Sequence, residues 1–172
     1  MEILVIFIII GIIGYVIYES LPNQKFQKAI TLFDSGNLIE ASKILIKIFD
    51  KHPDAPAKLA ECKLKEGLNA KPKSNNEAIK YFDEVIEIKK RLPTNTSKIK
   101  YELVEAKACF EIAVIQFSNS ISLANTEGKV KSLKDNLRFI DMTTKSGIEN
   151  DFAALRKKHL SELAEINFSF GI

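Results

Sequence analysis

Sixteen consecutive uncharged residues, Ile3 to Tyr18, are the feature that most constrains this chain of 172 residues. As a helix this run covers about 24 Å, and extending it from Met1 to Leu21 brings it to about 31 Å, the thickness of a bilayer's hydrocarbon core. Glu2 and Glu19 then sit at the two interfaces, with Tyr15 and Tyr18 at headgroup level near one of them. A cleaved secretory leader would open with a basic residue and end in a small-x-small site, and Glu2 and Tyr18-Glu19-Ser20 supply neither. A buried helix that is apolar all round needs a larger protein around it. Residues 1–21 are therefore read as a single transmembrane anchor that stays attached, and residues 22–172 as one domain beside it. Gly11 and Gly14 lie near one face of the anchor, where a neighbouring membrane helix can approach, although they miss the GxxxG spacing. Lys25 and Lys28 follow the run and nothing basic precedes it, so the positive-inside rule places the domain in the cytoplasm.

Of the 22 acidic residues only Glu2 and Glu19 flank the run, so the remainder holds all 25 basic groups and a net charge of about +5. That excess is mild, and Arg91, Arg138 and Arg156 are the only arginines. Without a basic stripe, no nucleic-acid partner is expected. Cys62 and Cys109 stand alone among apolar residues, as buried thiols in a reducing compartment do. With only His52 and His159, and no glycine-rich phosphate loop, the chain lacks the material for a triad, a metal site or a cofactor cradle. We expect no enzyme and no cofactor.

Helical periodicity runs through the rest. Apolar residues at steps of three and four predict helices over about 24–35, 38–51, 56–68, 76–91, 97–123, 127–145 and 149–167. Ser35-Gly36-Asn37, Pro53, the polar stretch 69–76, Pro93 and Ser146-Gly147 punctuate them. The fold class is all-α, an antiparallel stack of helical hairpins.

Residues 24–55 resemble a tetratricopeptide repeat. Ala29 holds the small position of its first helix, Gly36 and Leu38 the turn, Ala41 the small position of the second helix, and Pro53 closes the unit. Residues 56–91 match in part: Ala78, Phe82 and Val85 repeat the second-helix pattern, but Ala78 falls 37 residues after Ala41 rather than 34, and Lys63 stands where the first helix wants a small residue. The resemblance implies a groove lined by first helices that binds another protein. Phe26 and Ile30 occupy the positions where chaperone-binding relatives hold a terminal carboxylate, so a groove of Phe26, Ile30 and Phe33 implies an apolar partner instead.

His52-Pro53-Asp54 spells the tripeptide of Hsp40-type J-domains; the competing reading is the proline that closes the repeat. Arg156-Lys157-Lys158-His159 is the densest basic cluster, suited to an anionic lipid surface or to a solvated helix face. The sequence thus predicts a membrane-anchored, tetratricopeptide-like scaffold or adaptor that recruits or stabilises a protein partner at the membrane. The alternative is an accessory subunit of a larger membrane complex.

Overall fold

The structure, a computed structural model, describes residues 14, 21–94, 96, 98–143 and 148–170. Among them every regular element is helical: α1 (21–34), α2 (Leu38–Lys47), α3 (Ala55–Ala70), α4 (Asn75–Ile88), α5 (Lys98–Ile121), α6 (Thr126–Thr143) and α7 (Glu149–Phe170), with a 3-10 turn (Lys89–Arg91) after α4. All seven predicted helices of the domain are present, with ends shifted by at most a few residues. The expected anchor and Gly11 lie outside the described residues. Gly14 is described, helical and open, with nothing within 4 Å of where a Cβ would stand. Among the described residues no helix is long and apolar enough to cross a membrane.

The punctuation has a local cause at each junction. Gly36 adopts φ +82°, a left-handed conformation costly for residues with a Cβ. This lets Gly36 N–H reach Phe33 O and Asn37 N–H reach Leu32 O, so the last carbonyls of α1 are satisfied in a Schellman-type cap. Asn37 then accepts from Glu40 N–H and starts α2. Ser74 caps α4 by accepting from Glu77 N–H, and Pro56 sits in the first turn of α3, where its missing N–H is not needed.

Successive helices pack on one another from α2 through α7, and α3 also meets α5, as α5 meets α7. Side chains link α1 to α3 as well: the Lys58 and Lys65 ammonium groups lie 4.1 Å and 3.7 Å from the Phe33 ring centre. The even helices are splayed, leaving a hollow of about 450 Å³ between α2, α3 and α4. Odd helices crowding on one side and even helices fanning on the other make the odd side the inner face of a curved stack.

Two apolar cores result. The larger joins α1 to α5 through Ala29, Ala41, Leu45, Phe82 and Ile112 among others; the smaller joins α5 to α7 through Cys109, Ile140, Phe152 and Leu155. Helix α5 belongs to both, with Tyr101, Ala108, Ile112 and Ile115 facing one and Ala106, Cys109 and Ala113 the other. Tyr101 also closes α4. As that helix tightens, Lys89 N–H bonds to Ile86 and Glu87 carbonyls, and the Val85 carbonyl is taken by the Tyr101 hydroxyl at 2.6 Å.

Helices α3 and α4 approach closely at Gly67. A Cβ built there would stand 2.3 Å to 2.9 Å from three ring atoms of Phe82, which is fully buried. Gly67→Ala is expected to destabilise the fold by about 1–3 kcal/mol despite alanine's better helix propensity, because a caged ring cannot retreat. Urea unfolding of Gly67→Ala, alone and with Phe82→Leu, checks this: the double variant should recover part of the loss.

Candidate functional site

On the inner face, Leu64 and Leu68 project one turn apart from α3 toward Phe110 of α5, with Ile148 ahead of α7. Together with Lys107, Glu111 and Asp151 they line an opening of about 220 Å³ whose walls are mostly carbon. Leu68 is 41% exposed, a large loss of contact for a leucine on an otherwise packed helix. The edge of Phe110 is set by Phe152 of α7, the two rings meeting edge to face at 5.5 Å. An ion pair between Lys71 and Glu111 ties α3 to α5 at one side of the opening. Lys65 and Lys107 are exposed on the same two helices. A preset apolar hollow flanked by ammonium groups suits a segment with apolar side chains and acidic neighbours.

Phe33, Phe26 and Ile30, expected to line the groove, differ in exposure. Phe33 is 7% exposed, covered by the stems and ammonium groups of Lys58 and Lys65. Phe26 is half-buried and stacks on His52, ring centres 3.8 Å apart and 13° from parallel. Ile30 is half-buried. The open apolar surface therefore lies farther along the stack, between α3 and α5. Leu64 and Leu68, and Lys107 and Phe110, each stand one helical turn apart, and that spacing was the available signal.

His52-Pro53-Asp54 folds in on itself. Asp54 N–H donates to His52 Nδ1 at 3.2 Å, and Lys100 pairs with the Asp54 carboxylate at 3.2 Å. Burial lowers the His52 pKa, against the opposing charge of Asp54. The tripeptide thus serves as a turn between α2 and α3.

Three of the four residues of the basic cluster share an exposed face. Arg156 pairs with Asp141 at 3.0 Å, and Lys157 and Lys158 are exposed. His159 is not part of that face. It is fully buried, its ring 4.4 Å from that of Phe117, with Nδ1 bonded to Leu155 O at 2.8 Å. That bond makes Nδ1 the protonated nitrogen and leaves Nε2 to accept from Asn136 Nδ2 at 2.7 Å. The second amide hydrogen of Asn136 goes to Ala113 O at 3.0 Å, so one amide pins α5, α6 and α7 together. Position 159 continues the Phe152–Leu155–Ile166 stripe, which marks it as inward-facing.

Other titratable groups are structural. Burial pushes the Cys62 thiol up to about 11, so little thiolate forms at neutral pH, and Cys109 is likewise buried. Lys63 is bound between Glu66 and Glu84, both at 2.9 Å; burial alone would lower its pKa, but the two carboxylates outweigh it and raise it. Among the described residues no group of three or more His, Cys, Asp or Glu side chains converges as a metal site would. No protein family, curated protein or solved structure matches this chain.

Burial also lowers the His159 pKa, partly offset by the Leu155 carbonyl. The fold therefore favours neutral imidazole, while the unfolded chain takes up a proton near about pH 6.5. Stability should be complete above that value and fall as pH drops below it toward the folded-state pKa. Denaturant titrations from about pH 7.5 to about pH 5 should show that loss, and His159→Gln should reduce it to the part contributed by His52.

Proposed function

We propose that this chain is a membrane-anchored, tetratricopeptide-like adaptor whose inner face recruits or stabilises a protein partner at the bilayer. The observation that carries the reading is the open apolar hollow of Leu64, Leu68 and Phe110 on the side where the odd helices meet. Small residues at the close approaches support the repeat-like character: Ala29, Ala41 and Ala78 are fully buried, and Gly67 admits Phe82. Contact between alternate helices on one side only is the packing that a stack of helical hairpins produces. The uncharged run from Ile3 to Tyr18 supports the anchor, and Lys25 and Lys28 support a cytoplasmic domain.

The partner segment that fits is an amphipathic helix, two or three apolar side chains entering between α3 and α5 and acidic residues reaching Lys65 or Lys107.

Two measurements test the proposal. Alkaline extraction of membranes should leave the full chain in the pellet; release into the supernatant would sink the anchor. A photocrosslinking residue at Leu68 should capture a discrete protein, and Leu68→Asp should weaken that capture at least tenfold (about 1.4 kcal/mol). Because Leu68 is already solvent-exposed, the same substitution should alter stability by no more than about 0.5 kcal/mol. Equal capture from Leu68 and from Leu123, at the end of α5, would show that the hollow is not the recognition site.

A further inference from the structure

The stack has two ends, and they differ. At one end lie the first described residues of α1, the starts of α3 and α5 and the finishes of α2 and α4, whereas α7 starts farther along, beside the last turn of α3. Contacts across it confirm the grouping: Phe26 on His52, Lys100 with Asp54, and Arg91 with its guanidinium 5.4 Å from the Phe49 ring centre. Leu21, the first described residue of α1, follows Tyr18 by three residues, a span of at most about 11 Å. Whatever surface the apolar run enters, this end of the stack is held against it.

That end is also chemically distinct. Between Glu87 and Glu102 the chain has five basic residues and no acidic one, and between Glu19 and Asp34 it has Lys25 and Lys28 and no acidic one. Lys90, Arg91, Lys98 and Lys100 are all exposed; Lys90 and Lys100 pair with Glu87 and Asp54, but their side chains keep 70% and 65% exposure. Pairs this open are weak and readily exchanged for another anion. Acidic groups at the same end (Asp50, Asp54, Glu87 and Glu102) are outnumbered by Lys25, Lys28, Lys90, Arg91, Lys98 and Lys100 on the side of α1, α4 and α5. Amid that surplus Ile99 is 82% exposed; Met142, at the finish of α6, is 85% exposed. These are the two most exposed large apolar side chains among the described residues.

We propose that this end of the stack lies on an anionic lipid surface, with Lys90, Arg91, Lys98 and Lys100 on the headgroups and Ile99 inserted among them. This rests on the anchored reading above. Lysine charge together with a protruding aliphatic side chain is the chemistry that peripheral membrane surfaces combine, and the negative leaflet is the cytoplasmic one to which Lys25 and Lys28 assign the domain. Docking there would hold the stack upright and leave the hollow of Leu64, Leu68 and Phe110 open to the side.

The test uses the full chain reconstituted into phosphatidylcholine vesicles with or without phosphatidylserine. A polarity-sensitive fluorophore is attached at Ile99→Cys or, for the opposite end, at Leu123→Cys, with Cys62→Ala and Cys109→Ala in both. With phosphatidylserine, emission from position 99 should shift to the blue and become shielded from aqueous iodide, while position 123 stays accessible. Lys90→Gln, Lys98→Gln and Lys100→Gln should each reduce the docked-to-undocked ratio about fivefold (about 1 kcal/mol), with helical content by circular dichroism unchanged. If position 99 is quenched as readily as 123 while the chain resists alkaline extraction, this inference is overturned and the anchor stands. Equal shielding without phosphatidylserine, or shielding only when a protein fraction is added, also overturns it. Release by alkali removes the anchor and this inference together.

Discussion

Helix α5 must bury two opposite faces at once, and the rest of the structure depends on how it does so. Its 24 residues place Tyr101, Ala108, Ile112 and Ile115 in one core and Ala106, Cys109 and Ala113 in the other. The fully buried residues of the second set are small, with Phe110 and Phe117 reaching α7 beside them, while the first carries the larger buried side chains that pack under α3 and α4. Each core alone would be meagre for a domain of this size. Sharing one helix makes them a single cooperative body without a third layer.

Much of this was legible in the residues. The seven helices followed from periodicity, and their ends from Gly36, Asn37, Pro56 and Ser74, whose roles are local and need no tertiary context. What escaped was relational. A fixed repeat length pointed to Lys63 as the residue at the close approach, whereas the small residue against Phe82 is Gly67, one helical turn later. The longer α3 carries the contact with it, and counting residues cannot register a change in helix length. Phe33 read as groove-lining because its own helix leaves it free; Lys58 and Lys65, on another helix, cover it. His159 read as basic because three charged neighbours precede it, although helical geometry turns it to the opposite side.

The same relational logic governs the inner face. Leu64 and Leu68 belong to a helix whose other side is committed to α4 through Gly67, and Phe110 is oriented by Phe152 from α7. The hollow is thus shaped by contacts behind it rather than by flexible side chains, so an incoming segment would meet a surface already in its bound form and lose little to ordering.

The amide of Asn136 has a consequence for how the chain assembles. Its two hydrogens are divided between Ala113 O and His159 Nε2, groups on different helices. If α6 settles on α5 before α7 arrives, one hydrogen of a desolvated amide has no acceptor; if α7 arrives first, His159 is buried with Nε2 unmet. Either half-built arrangement is penalised, while the complete one gives both amide hydrogens and His159 Nε2 a partner. The C-terminal hairpin should therefore join the growing stack in one step, as a unit added or withheld, and a misaligned hairpin would forfeit the same bonds. A single polar contact in this way proofreads the register of a layer whose aliphatic side chains would tolerate sliding.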